Sequence, residues 1–213
     1  MIRIFLSRMI GLCSTAALAQ PLCLAEGVKA LNPAVDNWYA PSGAMKPTFA
    51  INDCFISRRV SDPSEIQPGR IATFKEDGFD FFFRIVATAG QTVQMKDGAL
   101  YIDDIAVPRV ATDPYQERMQ RVGNTMPRCP TPTPLGETCL IARFTETLGD
   151  ISYDTLDLGM FPLDNTPPVT VPADHVFVLG DHRDNANDSR VARTARGRGM
   201  VPVANIIGLV PLE

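Results

Sequence analysis

Two short stretches of this chain carry side chains whose types and spacing could do chemistry. Pro41-Ser42-Gly43-Ala44-Met45-Lys46-Pro47-Thr48 offers a hydroxyl at Ser42 and an amine at Lys46. Gly180-Asp181-His182-Arg183-Asp184-Asn185-Ala186-Asn187-Asp188-Ser189-Arg190 offers carboxylates, guanidinium groups, an imidazole and a second hydroxyl. A serine attacks a carbonyl only when a nearby base takes its proton, either an amine of lowered pKa or a histidine held by a carboxylate. Ser42 with Lys46 would make the first arrangement, and Ser42 or Ser189 with His182 and Asp181 the second. Each has a plainer reading: Lys46, in a proline-bounded loop, as a solvated side chain, and His182, alone in a polar loop, as a hydrogen-bonded one. Asp181, Arg183, Asp184, Asp188 and Arg190 alternate in charge and are the makings of a paired network that holds two loops together. His175 and His182 show no metal-ligand spacing and there is no glycine-rich phosphate loop, so neither metal nor cofactor is expected.

The first stretch resembles the catalytic loop of type I signal peptidases, Pro-Ser-Gly-Ser-Met-x-Pro-Thr, with Ala44 in place of the second, nucleophilic serine. The second stretch resembles that family's Gly-Asp-Asn-Arg-Asp-Asn-Ser-x-Asp-Ser-Arg motif. Between them, Pro68-Gly69-Arg70-Ile71-Ala72-Thr73-Phe74 and Phe83-Arg84-Ile85-Val86-Ala87-Thr88-Ala89-Gly90-Gln91 are similar to the segments that carry the lysine base. The lysine position is Phe83. Ala186 stands where the family has a serine that helps orient the amine.

The resemblance implies a mostly β protein, with a signal peptidase I-like antiparallel core and a smaller inserted β domain. It also implies a chain without the Ser/Lys dyad, and so a proteolytically inactive one. Ser42 remains as a residual oxyanion-stabilising candidate. Met45 and Phe83 are expected at an apolar groove that still holds an extended, signal-peptide-like segment by strand addition. The alternative is an active endopeptidase that processes exported precursors with rearranged residues. An apolar side chain at position 83 is physically coherent with the loss of the serine, because a buried ammonium without a partner costs several kcal/mol.

The elements that must position these residues read as short strands. The 213 residues include 18 prolines and 15 glycines, which favours turns and strands over long helices. The net charge of −4 and scattered basic residues argue against a nucleic-acid partner. The run Arg193 to Arg198 reads as a solvated surface loop.

Residues 1–25 open with two arginines and continue through a nearly uncharged stretch. This predicts an export signal or an N-terminal anchor, with Ala17-Leu18-Ala19 and Cys23-Leu24-Ala25 offering small residues at cleavage-like spacing. The expected location is the bacterial periplasm or the periplasmic face of the inner membrane, with the membrane surface and an envelope protein as partners. Residues 26–37 read as a linker, and Trp38-Tyr39 as membrane-interface or core aromatics.

In the core, assigned to 38–105 and 169–213, strands are expected at Cys54 to Ser57, Ile71 to Phe74, Phe79 to Thr88 and His175 to Leu179. A hairpin turning at Asp97-Gly98 is also expected. Residues 106–168 form the expected inserted domain. Within it Pro108 to Pro134 is poorly patterned, and Arg143 to Tyr153 resembles the family's second, non-catalytic β domain. Cys129 and Cys139, around a proline-rich loop, are the natural disulfide partners in an exported chain, with Cys54 left over.

Overall fold

The structure, a computed structural model, describes residue 32 and residues 34–212. The predicted export signal lies outside the described residues. Among the described residues no helix is long and apolar enough to cross a membrane.

The chain folds into β1 (Val35–Tyr39), β2 (Cys54–Arg59), β3 (Ile71–Glu76), β4 (Phe79–Thr88), β5 (Thr92–Lys96), β6 (Ala99–Ile102) and β7 (Ile105–Ala106). It continues with β8 (Arg109–Arg118), β9 (Thr138–Leu148), β10 (Ile151–Asp157), β11 (Val169–Thr170), β12 (His175–Leu179), β13 (Val201–Pro202) and β14 (Ile206–Leu209). These strands pair into a seven-stranded sheet ordered β1-β2-β14-β3-β4-β12-β13, a four-stranded sheet β11-β5-β6-β7 and a three-stranded sheet β10-β9-β8. Neighbours in the sheets run antiparallel, as expected for this mostly β chain.

β4 is the hub. Its apolar run is buried from Phe82 to Ala87, and its residues serve two cores. Phe82, Phe83 and Ile85 pack with Met45, Phe74 and Val178, whereas Val86 and Ala87 join Val93, Leu100 and Phe177. β12 does the same by strict alternation, with Val176 and Val178 on one side and Phe177 and Leu179 on the other. The β5–β6 hairpin turns through Asp97 (φ 49°) and Gly98 (φ 76°), the left-handed pair that a two-residue hairpin turn requires.

Three expectations change. β1 begins at Val35, inside the stretch read as a linker. It lies at the edge of its sheet, where a strand needs no apolar alternation, so Val-Asp-Asn-Trp-Tyr carries little strand signal. β8 crosses the segment read as unpatterned, and its register slips between Thr112 and Tyr115, which places Pro114 at an irregularity where a missing N–H costs nothing. Finally, the arginine run is not simply solvated. Arg193 and Arg198 both donate to the buried carboxylate of Glu76, and the Arg198 guanidinium lies 3.3 Å over the Phe81 ring.

The expected Cys129–Cys139 disulfide is present. Cys54 is disulfide-bonded as well, so it is not a left-over thiol.

Candidate functional site

The loop after β1 is anchored at both ends by backbone bonds. Ala40 donates to Asp53 O (2.9 Å), Asn52 donates back to Ala40 O (2.7 Å) and Phe49 donates to Met45 O (2.9 Å). Met45 is fully buried and plugs the loop into the core beside Phe83, which is 6% exposed. The two groove candidates therefore sit beneath the surface.

Ala44 is drawn to the second motif by its carbonyl, which accepts from the His182 N–H at 3.0 Å. A Cβ at Gly180 would fall 2.3 Å from Ala186 Cβ, 2.7 Å from Ala44 O and 3.5 Å from a Phe83 ring carbon. Positions 44, 83 and 186, far apart in sequence, thus meet around one glycine. They contribute two methyl groups and a phenyl ring, with no side-chain hydroxyl, amine or carboxyl. Ser42, half-buried next to them, accepts a long hydrogen bond from the Ala44 N–H (3.4 Å).

The charged residues of the second motif do form a network, but mostly with partners elsewhere. Both Asp181 oxygens are engaged by Arg84, from Nε (2.8 Å) and Nη2 (2.7 Å), and Thr48 donates its hydroxyl to Asp181 Oδ2 at 2.5 Å. Arg183 is fully buried and donates twice to Glu146, which also accepts from the Tyr153 hydroxyl (3.0 Å). Burial alone would lower the pKa of both arginines, and the facing carboxylates more than offset this, so both stay charged. Asp188 accepts from the Gly180 N–H (3.1 Å) and from Arg190 (2.9 Å). Asp184 accepts from the Leu158 N–H (2.7 Å), and burial raises its pKa to about 6.

Arg84, Glu146 and Glu117 carry this site and were not singled out by sequence. Arg84 was findable: a guanidinium within an apolar strand must be paired when buried. Glu146 and Glu117 face their partners across long sequence separations and gave no local signal.

Two plainer readings are corrected. Lys46 is buried rather than solvated, and its Nζ donates to Glu117 Oε2 at 2.5 Å. His182 is 2% exposed and its Nδ1 has no hydrogen-bond partner among the described residues. Burial first, then the Lys46 and Arg128 charges, depress its pKa to about 4, so the ring is neutral at pH 7.

The alternative triad is not assembled. Asp181 serves Arg84 and Thr48, and the Ser189 hydroxyl donates to Gly199 O (2.8 Å) while accepting from the Val178 N–H (3.0 Å).

Comparison with known proteins agrees with the sequence resemblance. The family model described as signal peptidase, peptidase S26, matches residues 16–212. The Signal peptidase I of Pseudomonas aeruginosa is 27% identical over 199 residues, covering 82% of this chain and 62% of that protein. The Signal peptidase I of Rickettsia typhi is 26% identical over 211 residues, covering 88% and 74% respectively. The chain therefore spans a little under two thirds of the Pseudomonas protein and about three quarters of the Rickettsia one. A solved signal peptidase I from Enterococcus faecalis covers 68% of this chain at 20% identity with a TM-score of 0.37, too loose a superposition to bear on the site. With the family model running across nearly the whole chain, this protein belongs to the S26 signal peptidase family.

Proposed function

We propose that this chain is an exported S26-family protein that holds extended, signal-peptide-like segments without cutting them. The observation that carries the reading is the open edge of β4. Ile85 turns both its N–H and its C=O toward the β3 side, bonding Arg70 and Gly69. By the alternation of an antiparallel ladder, Phe83 and Phe81 do the same, while Phe82 and Asp80 turn theirs the other way. Among the described residues, that side is paired only by β12, and only from Arg84 onward.

Facing this half-strand is β1, whose Ala40 N–H and Ala34 C=O point to β2, so that Tyr39 presents its backbone groups outward. Asn37, Trp38, Tyr39, Pro41, Asp80 and Phe82 enclose a cavity of about 260 Å³ between the two strands. An added strand there would take main-chain hydrogen bonds from edge groups and place alternate side chains in the cavity.

The residues at hand support the absence of cutting. The side chains of positions 44, 83 and 186 around Gly180 offer neither nucleophile nor base, Lys46 is paired with Glu117, and the Ser189 hydroxyl is spent on the backbone. The same reading puts the chain on the exported side of the membrane, beside the membrane surface and envelope partners.

The test uses the purified full chain and a fluorescent peptide with an Ala-x-Ala site. Saturable binding, with the peptide recovered intact by mass spectrometry, is expected. Turnover that vanishes in Ser42→Ala would establish the rearranged endopeptidase instead, and failure to bind any such peptide would remove the groove reading.

A further inference from the structure

Three arginines meet at a second cavity. Glu76, Phe79 and Phe81, from the β3–β4 hairpin, face Arg193, Arg196 and Arg198 across a space of about 330 Å³. Phe79 and Phe81 alternate along β4 with Asp80 and Phe82, which line the cavity beside β1, so the two cavities open on opposite faces of the strand. A ligand held here neither fills nor needs the peptide site.

The arginines are fixed in place. Glu76, with 4% of its side chain exposed, accepts from Arg193 through one oxygen and from Arg198 through the other. One buried carboxylate thus gathers two guanidinium groups that would otherwise repel each other. The Arg198 guanidinium is further held over the Phe81 ring, and its buried Nε has no hydrogen-bond partner among the described residues. The loop that carries them folds tightly on itself. Gly197 N–H donates to Ala192 O (3.0 Å) and Gly199 N–H to Val191 O (2.9 Å), and a Cβ at Gly197 would fall 2.0 Å from Val191 O. Between them Arg196 is held at φ 61°, exposed and without an ion pair among the described residues.

Against the three guanidinium groups stand two carboxylates, Glu76 and Asp77, so the lining keeps an excess positive charge. Each arginine has five N–H donors, and Glu76 takes one from Arg193 and one from Arg198, which leaves most of them for a ligand. Several planar forks around one space suit the oxygens of a phosphate group. Phe79, 69% exposed, and Phe81 give the same space an apolar wall. We infer that this cavity binds a phosphate ester that bears an apolar or aromatic group, with Arg193, Arg196 and Arg198 on the phosphate and Phe79 against the organic part. A soluble phosphate ester and a phospholipid headgroup share that chemistry.

The test is calorimetric titration of the full chain with phenyl phosphate and with inorganic phosphate. Phenyl phosphate is expected to bind saturably, one to one, more tightly than inorganic phosphate, and more weakly as sodium chloride is raised. Arg196→Asn keeps a side chain that tolerates the left-handed backbone and should weaken binding about tenfold, the weight of a charge-assisted hydrogen bond, with the unfolding midpoint unchanged. Phe79→Ser should erase the preference for the phenyl ester. Failure of both anions to bind would overturn the inference, and so would binding that Arg196→Asn leaves intact. Cosedimentation with vesicles of phosphatidylglycerol in phosphatidylcholine separates the two sources. Arg196-dependent vesicle binding that phenyl phosphate competes away identifies a lipid headgroup, whereas vesicle binding that is absent or indifferent to the ester identifies a soluble one.

Discussion

Lys46 Nζ and Glu117 Oε2 stand 2.5 Å apart, each with 9% of its side chain exposed, and this pair ties the loop after β1 to strand β8. The loop carries position 44, and β8 belongs to a different sheet. The contact therefore couples two sheets through one charge pair. A second strap runs in parallel, from Arg128 Nη1 to the Asp184 carbonyl (2.8 Å).

Removing one member of the first pair should be costly because the other is left charged and buried. Lys46→Met and Glu117→Leu are each expected to lose roughly 3–5 kcal/mol of stability, with the double variant recovering most of it. Urea unfolding of the four proteins measures this. Single-variant losses that simply add would show that the two charges are not coupled.

His182 should make the protein acid-sensitive. Its folded pKa of about 4 lies below the ordinary 6.5, so its contribution to stability is fully present above pH 6.5 and is lost as pH falls through about 4. Asp184 works the other way. Its folded pKa of about 6 lies above the ordinary 3.8, so its contribution is present below 3.8 and is lost as pH rises through about 6. His182→Asn is expected to flatten the fall in unfolding free energy between pH 6.5 and 4, and Asp184→Asn to steepen it. Unchanged slopes in both variants would mean that these groups titrate alike in the folded and unfolded chain.

The Cys129–Cys139 bond closes a short loop, with a sequence separation of 10. Replacing both cysteines by serine should cost about 2–3 kcal/mol on the loop-entropy model, read as a lower urea midpoint. Recovering both as free thiols from exported protein would show that the bond does not form in the cell.

Restoring one catalytic group should restore nothing. Ala44→Ser supplies a hydroxyl beside a phenyl ring, and Phe83→Lys buries an ammonium among apolar neighbours and should chiefly destabilise the fold. Nucleophile and base act as a unit, so only the double variant is expected to turn over a fluorogenic Ala-x-Ala peptide, with Ala186→Ser improving it. Activity in either single variant would show that another residue completes the site.

Much of this architecture was legible before the structure. The Asp97-Gly98 hairpin and the ten residues of β4 declared themselves because their signals are local: two left-handed positions in one case, a strand-length run rich in aromatic and aliphatic residues in the other. The meeting of positions 44, 83 and 186 was legible only through resemblance to a family, since nothing in spacing alone brings them together. What stayed hidden was set by partners far along the chain. Lys46 looks like a solvent residue until Glu117, 71 positions away, gives it a reason to be buried. β8 was missed because its exposed face carries mostly polar residues and Pro114 breaks its pattern.

The open half of β4 also bears on how the protein stays in solution. Four phenylalanines in five residues, beside a strand edge that no other strand among the described residues covers, are a template onto which a second copy could add itself. Asp80 interrupts that run, more than half of its side chain reaches solvent, and Lys75 holds it at 3.1 Å. A charge at the centre of an exposed edge is the usual guard against such growth. The carboxylate that borders the cavity is thus also placed to oppose the addition of a neighbouring molecule along β4.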